Sequence, residues 1–240
     1  SNEDVKTPKG FDVSIFAGPP QVTYPVCITT SVTGEVFVGV DEQGSLGKDS
    51  GRGKVVRCLD TDGDGKADKQ QVVVTGFGRY DTHELPNSLT WGPDGWLYGC
   101  NGIQAKAKVG KPGSADRDRV NLDCGVWRYH PIKKKFELYS SGTTNPWGVD
   151  FDDYGACFVS NCVNPHLFHV VQGGHFEPWR NRPSSLYAYE RLPTIADHLH
   201  YPGGNWQQAR GETPETLAMG GGHAHCGTLV YLGDTFPREY

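Results

Sequence analysis

The chain has 240 residues, a formal net charge of −5, 36% hydrophobic residues and 11% aromatics, which is apolar mass enough for one large all-β domain or two small ones and unlike a disordered chain. The negative charge excludes a phosphate backbone as the main partner, so no nucleic acid is expected. No apolar run approaches the ~20 residues of a membrane helix, and the cationic run Lys133-Lys134-Lys135 reads as a solvated turn.

Glycine (32) and proline (16) recur along the whole chain instead of gathering in a linker, the punctuation of many short strands joined by turns. In chain order, "FDVSIFAG" (11–18) is a lone strand ending in glycine. "PVCITTSVTGEVFVG" from Pro25, "PNSLTWGPDGWLYGC" from Pro86 and "PWGVDFDDYGACFVS" from Pro146 then share one layout. Each has glycine nine residues after the proline (Gly34, Gly95, Gly155), an aliphatic residue at plus three (Ile28, Leu89, Val149) and an aromatic at plus twelve (Phe37, Tyr98, Phe158). The prolines are 61 and 60 residues apart. Each unit reads as strand, tight turn, strand. Third strands follow at 54–60 and 125–131, and fourth strands at 70–76 and 135–142.

Four antiparallel strands per repeat describe the blade of a β-propeller, which covers its faces only by stacking on neighbours around an axis. The expected organisation is a single all-β propeller domain over 1–240, with blades at about 25–76, 86–142, 146–220 and from 225 onward. Three and a half blades do not close a ring. Residues beyond Tyr240 would then complete it, with 11–18 as the closing strand, unless the fragment is an open arc. The third unit carries a long insertion (173–215) laid across one face, in which "LPTIADHLH" (192–200) is read as including a helical turn.

Crossings from an outer strand to the next inner strand all lie on one face of a propeller. The segments 20–24, 77–85, 143–145 and 220–225 are therefore expected to converge around the channel mouth. They bring Arg79, Asp81, His83, Glu84, Asn87, Asn145, Trp147, His223 and His225 into one ring. A histidine beside a carboxylate can act as a general base near neutral pH, and an arginine can stabilise a developing oxyanion. Separately, "DTDGDGKAD" places Asp60, Asp62, Asp64 and Asp68 at positions 1, 3, 5 and 9 with Gly65 at 6, matching the front of a calcium loop. Gln71 stands where a bidentate glutamate would close that loop, and strands flank it, so bound Ca²⁺ is expected in a structural role.

The seven cysteines form no C-x-x-C, which excludes a zinc ribbon or c-type haem attachment within this stretch. Disulfides among six of them and buried free thiols both stay open. The chain opens on Ser1, and no signal peptide is legible in it.

The stretches "GRGKVVRCLDTDGDGKADK", "PNSLTWGPDGWLYG", "CGVWRYHP", "GTTNPWGVDFDDYG", "TIADHLH" and "GGGHAHCGTLVYLGDTFPREY" together resemble the N-terminal propeller of planctomycete and verrucomicrobial membrane-bound dehydrogenases of the haem-binding CxxCH type. That propeller is in turn similar to soluble quinoprotein glucose and sorbosone dehydrogenases. The resemblance implies a six-bladed propeller in the complete protein, a periplasmic or envelope location, and oxidation of a sugar or alcohol at CH–OH. It implies a pyrroloquinoline quinone cofactor, and electrons passed to a haem domain or cytochrome, the haem being confined to a separate downstream domain. The catalytic candidates are His83 with Arg79, then His225. Asp81, Glu84, Asn145, Trp147 and His223 are candidates to hold the cofactor. Two alternatives remain. One is a lactonase-like metal-dependent hydrolase with ligands from Glu84, Asn87 and Asn145. The other is a non-catalytic propeller binding glycans or proteins through Trp91, Trp147, Trp179 and Trp206, although lone aromatics more often serve the core.

Overall fold

A computed structural model describes residues 5–44, 51, 53–78, 85–162, 165–178, 189–197 and 225–236. The first sheet runs in sequence order through β1 (Pro25–Thr30), β2 (Val36–Val40), β3 (Gly53–Leu59) and β4 (Lys69–Phe77), every pair antiparallel. The second repeats that order with β5 (Asn87–Trp91) and β6 (Leu97–Asn101). A small hairpin, β7 (Ala107–Val109) and β8 (Val120–Leu122), follows before β9 (Gly125–His130) and β10 (Lys135–Gly142). The third contains β11 (Pro146–Phe151), β12 (Cys157–Asn161) and β13 (Leu167–Val170). The turns follow the glycine spacing: Gly34, Gly95 and Gly155 all take positive φ, at 84°, 78° and 80°, a backbone that a β-carbon resists.

Strand periodicity decides what each sheet meets. Successive side chains point to opposite faces. On β6, Leu97 faces a cluster that also holds Phe37, Val55, Phe77 and Trp127, whereas Tyr98 and Cys100 join Val149, Phe151, Val159 and Phe168. On β9, Val126 and Trp127 divide the same way. The second sheet is thus buried on both faces, one against the first sheet and one against the third. That is blade-on-blade packing of a β-propeller. Within the second sheet, Gly99 leaves room for the ring of its β9 partner Trp127, which a β-carbon at that position would run into. Trp127 is fully buried and donates its indole N–H to Cys100 O at 3.3 Å.

The inner strands meet along the axis, β1 against β5 and β5 against β11. Cys27 Sγ reaches Pro86 O at 3.5 Å, and the Gly148 N–H reaches Cys100 Sγ. Ser160, sixty residues after Cys100, repeats this joint: its hydroxyl donates to Gly227 O at 3.3 Å and lies 2.6 Å from Thr228 Oγ1. Residues 225–230 form no ladder, yet they occupy the place of the next inner strand. Gly227 N donates to Trp147 O, and Val230 N to Asp150 Oδ2 at 2.8 Å.

Residues 11–18 pair with no strand among the described residues, and Phe16 O accepts the Ala67 N–H at 2.8 Å. The helical turn read from 192–200 is corrected over its described part, 192–197. Leu192 and Ala196 instead form bridges to Phe176 and Leu167, because the open backbone edges beside them take up their hydrogen-bonding groups. The short β14 (His175–Phe176) lies parallel to the end of β10, where His175 Nδ1 and Ser141 Oγ are 2.8 Å apart. No helix among the described residues is long and apolar enough to cross a membrane.

Trp127→Ala would remove the largest wholly buried side chain between the first two sheets. The expected loss in chemical denaturation is about 3–5 kcal/mol. Val32→Ala, at a fully exposed turn, should change stability by less than about 0.5 kcal/mol.

Candidate functional site at the mouth of the sheets

Register places one end of every sheet together. Pro25 pairs with Val40, Asn87 with Cys100, and Pro146 with Asn161. The start of each inner strand and the finish of each second strand therefore share the same end. At the second-strand finish stand Asp41, Asn101 and Asn161, each sixty residues from the next and each at most 1% exposed. The 60-residue period already visible in the prolines and glycines carries these three side chains too, and sequence reasoning missed them.

Asn161 shows what the position does. Its Oδ1 accepts the Thr144 N–H at 3.4 Å, and its Nδ2 donates to Pro165 O at 2.7 Å. One carboxamide thereby ties the crossing 143–145 to the loop after β12. The same crossing is held from the second sheet, where Ile103 N donates to Thr144 O at 2.9 Å and Cys124 Sγ reaches the same oxygen at 3.2 Å. Asn87 is wholly buried and turned on its own backbone, donating Nδ2 to Leu85 O and accepting the Ser88 hydroxyl. Asn101 donates Nδ2 to Gly102 O at 3.2 Å, while its Oδ1 and that of Asn145 are buried without a hydrogen-bond donor.

Of the expected ring, Asn87, Asn145, Trp147 and His225 lie at this end. Arg79, Asp81, His83, Glu84 and His223 lie outside the described residues, as do Trp179 and Trp206. Trp147 accepts the Gly227 N–H through its carbonyl. The His225 ring lies 5.6 Å from that of His166. His166, which sequence reasoning did not single out, sets its Nδ1 2.7 Å from Asn161 O. Trp91 belongs to the core, edge-on to Phe37 at 5.3 Å.

The acidic loop sits at the far end of the first sheet, between β3 and β4, where Leu59 pairs with Lys69. Ligand oxygens of Asp60, Asp62 and Asp68 lie within 4.8 Å of one another. Asp60 receives the Gly63 and Gly65 N–H groups at 2.7 and 2.9 Å, and Asp68 receives the Thr61 N–H and hydroxyl. These bonds hold both carboxyls below their usual pKa. Asp64 is outside the group and accepts the Lys66 N–H instead.

All seven cysteines are free thiols. Burial pushes Cys27 up to about 11 and Cys157 up to about 12, and Cys100 higher still.

The chain matches the family described as a domain of unknown function, DUF7133, over residues 1–72 and 50–240, and it belongs to that family. No curated protein matches it. Among solved structures, the PQQ-bound form of an aldose sugar dehydrogenase from Streptomyces coelicolor aligns at 18% identity and a TM-score of 0.47, over 68% of this chain and 48% of that one. A glucose dehydrogenase crystal structure aligns at 17% and 0.47, over 67% and 52%, and another glucose dehydrogenase at 15% and 0.45, over 68% and 56%. The chain thus spans about half the length of these structures.

Thiol chemistry gives a direct check on the packing. Only about a thousandth of a thiol with a pKa near 11 is thiolate at pH 8, and Cys100 and Cys157 are also buried, whereas Cys27 is partly exposed. Iodoacetamide at pH 8 should therefore label exposed Cys226 first in the native protein. Equal labelling of Cys100, followed by peptide mass spectrometry, would contradict the blade interface.

Proposed function

We propose that this DUF7133 chain carries the substrate-binding mouth of an oxidoreductase acting on the CH–OH group of a sugar or alcohol. The supporting observation is the convergence of carboxamide and imidazole side chains, sixty or more residues apart, on rigid strand ends at one end of the stacked sheets. A carboxamide donates and accepts at once, as a sugar hydroxyl does. The dehydrogenase motifs of the sequence give the same reading.

His83 takes the hydroxyl proton, Arg79 stabilises the developing alkoxide, and His225 is the second candidate for the base. Asp81, Glu84, Asn145, Trp147 and His223 orient the bound groups. Pyrroloquinoline quinone, when bound, supplies the hydride acceptor. Lys54, a buried cation at this end of the first sheet, is already paired with Glu42. Electrons pass on to a haem domain or cytochrome in the cell envelope.

The loop at Asp60, Asp62 and Asp68 holds Ca²⁺ as a structural staple, since three carboxylate oxygens this close repel one another without a cation. It lies at the end of the sheet away from the mouth, so it takes no part in the reaction.

Incubation with pyrroloquinoline quinone and Ca²⁺, followed by a dye-reduction assay over sugars and alcohols, tests the redox reading. His83→Ala should lower turnover by roughly 10²–10⁴-fold while quinone binding persists. A protein that binds no quinone and reduces no dye with any substrate would end this reading. For the staple, Asp60→Asn with Asp62→Asn should abolish a Ca²⁺-dependent rise in melting temperature. The same rise in the double variant would place the ion elsewhere.

A further inference from the structure

The corner where the third sheet meets residues 225–230 gathers donors of a different kind from the acidic loop. His166 Nδ1 lies 2.7 Å from the backbone carbonyl of Asn161. A carbonyl can only accept, so Nδ1 carries the proton and the ring's lone pair is on Nε2. Orientation of an imidazole by a backbone carbonyl through its other nitrogen is the arrangement that supports metal ligation. The second imidazole is His225, with ring centres 5.6 Å apart and planes inclined at 67°. Two imidazoles sharing a tetrahedral cation, each nitrogen about 2 Å from the metal, hold their ring centres roughly 5 Å apart. The observed separation is within a small side-chain adjustment of that value.

A third donor comes from register. The bonds from Gly227 N to Trp147 O and from Val230 N to Asp150 Oδ2 keep 225–230 in step with β11, a register that sets His225 level with Asn145. The Asn145 carboxamide oxygen is buried and accepts no hydrogen bond, which is costly for a polar atom unless something electropositive faces it. Asn145 is fixed from the other side, its carbonyl accepting the Cys162 N–H at 2.9 Å.

We infer that His166, His225 and Asn145 form a site for a divalent d-block cation of borderline softness, such as Zn²⁺. Two neutral imidazoles and one amide oxygen favour such an ion over Ca²⁺, which prefers an all-oxygen shell with carboxylates. Three protein ligands leave one coordination position open. The assignment does not depend on the redox reading; it gives His225 the role of a ligand.

The test is calorimetric titration of the 240-residue chain with Zn²⁺ in the Asp60→Asn, Asp62→Asn background, which removes the acidic loop as a competing site. One Zn²⁺ should bind per chain, and His166→Gln or His225→Gln should each weaken it by at least ~10-fold. A readout on the unmutated chain guards against misfolded variants. Zn²⁺ should protect His166 and His225 from diethyl pyrocarbonate, scored by peptide mass spectrometry. No Zn²⁺ uptake, uptake indifferent to both substitutions, or full modification of the two rings at saturating Zn²⁺ would each overturn the assignment.

Discussion

An antiparallel sheet from this chain has two apolar faces and can bury neither by itself. The solution is stacking, and the second sheet presses one face on the first sheet and the other on the third. β6 shows the constraint at its strictest: all five of its residues are buried, Leu97 toward the first sheet, Tyr98 and Cys100 toward the third. Because strands splay outward from a shared axis, the closest approach falls on the inner strands, where backbone meets small or polar side chains. Gly148 N on Cys100 and Gly227 O on Ser160 are two instances of one joint, and Cys27, on β1, meets Pro86 O across the first pair of sheets.

That joint also makes a site possible. With the inner strands locked side by side, the crossings that feed them cannot drift apart, and the second-strand ends arrive at the same level. Asn101 and Asn161 are buried there while serving backbone groups of segments that have left their sheet and still need partners, and Asp41 is buried at the equivalent place. The acidic loop lies at the other end of β3 and β4, away from this convergence. Arg128 shows how the outer surface is held independently of the mouth. It lies over the Trp96 ring at 4.2 Å while bonded to Glu137 and Asp94.

Much of this was legible in the sequence because its causes are local or periodic. Proline, glycine and aromatic positions recur at a fixed interval because each unit solves the same turn and the same packing problem, so the strands near 54, 70, 125 and 135 could be placed from spacing. The acidic loop was legible for the same reason, except that Asp64 bends back to its own backbone, which no spacing announces. What stayed hidden depends on long-range partners. The three-residue strands β7 and β8 are too short to show periodicity, and β14 exists because the edge of β10 offers unpaired groups to a segment 34 residues away. His166 likewise carries no motif; only the path of the chain after β12 brings its ring to His225. The set Asp41, Asn101 and Asn161 was available from the same period and needed only the second strand to be followed to its end.

The central claim is that residues 225–230 pack on the third sheet as β11 packs on the second. Ser160→Cys with Thr228→Cys, in a chain also carrying Cys162→Ser and Cys226→Ser, tests it most directly. The two hydroxyls are 2.6 Å apart across 68 residues of sequence, which is within reach of a disulfide. Air oxidation of the native chain should give a single 160–228 bridge, seen by non-reducing peptide mapping, and oxidation carried out in denaturant should show no such preference. A chain that stays reduced at these positions, or scrambles its thiols without preference, would contradict the stacked arrangement and with it the shared mouth.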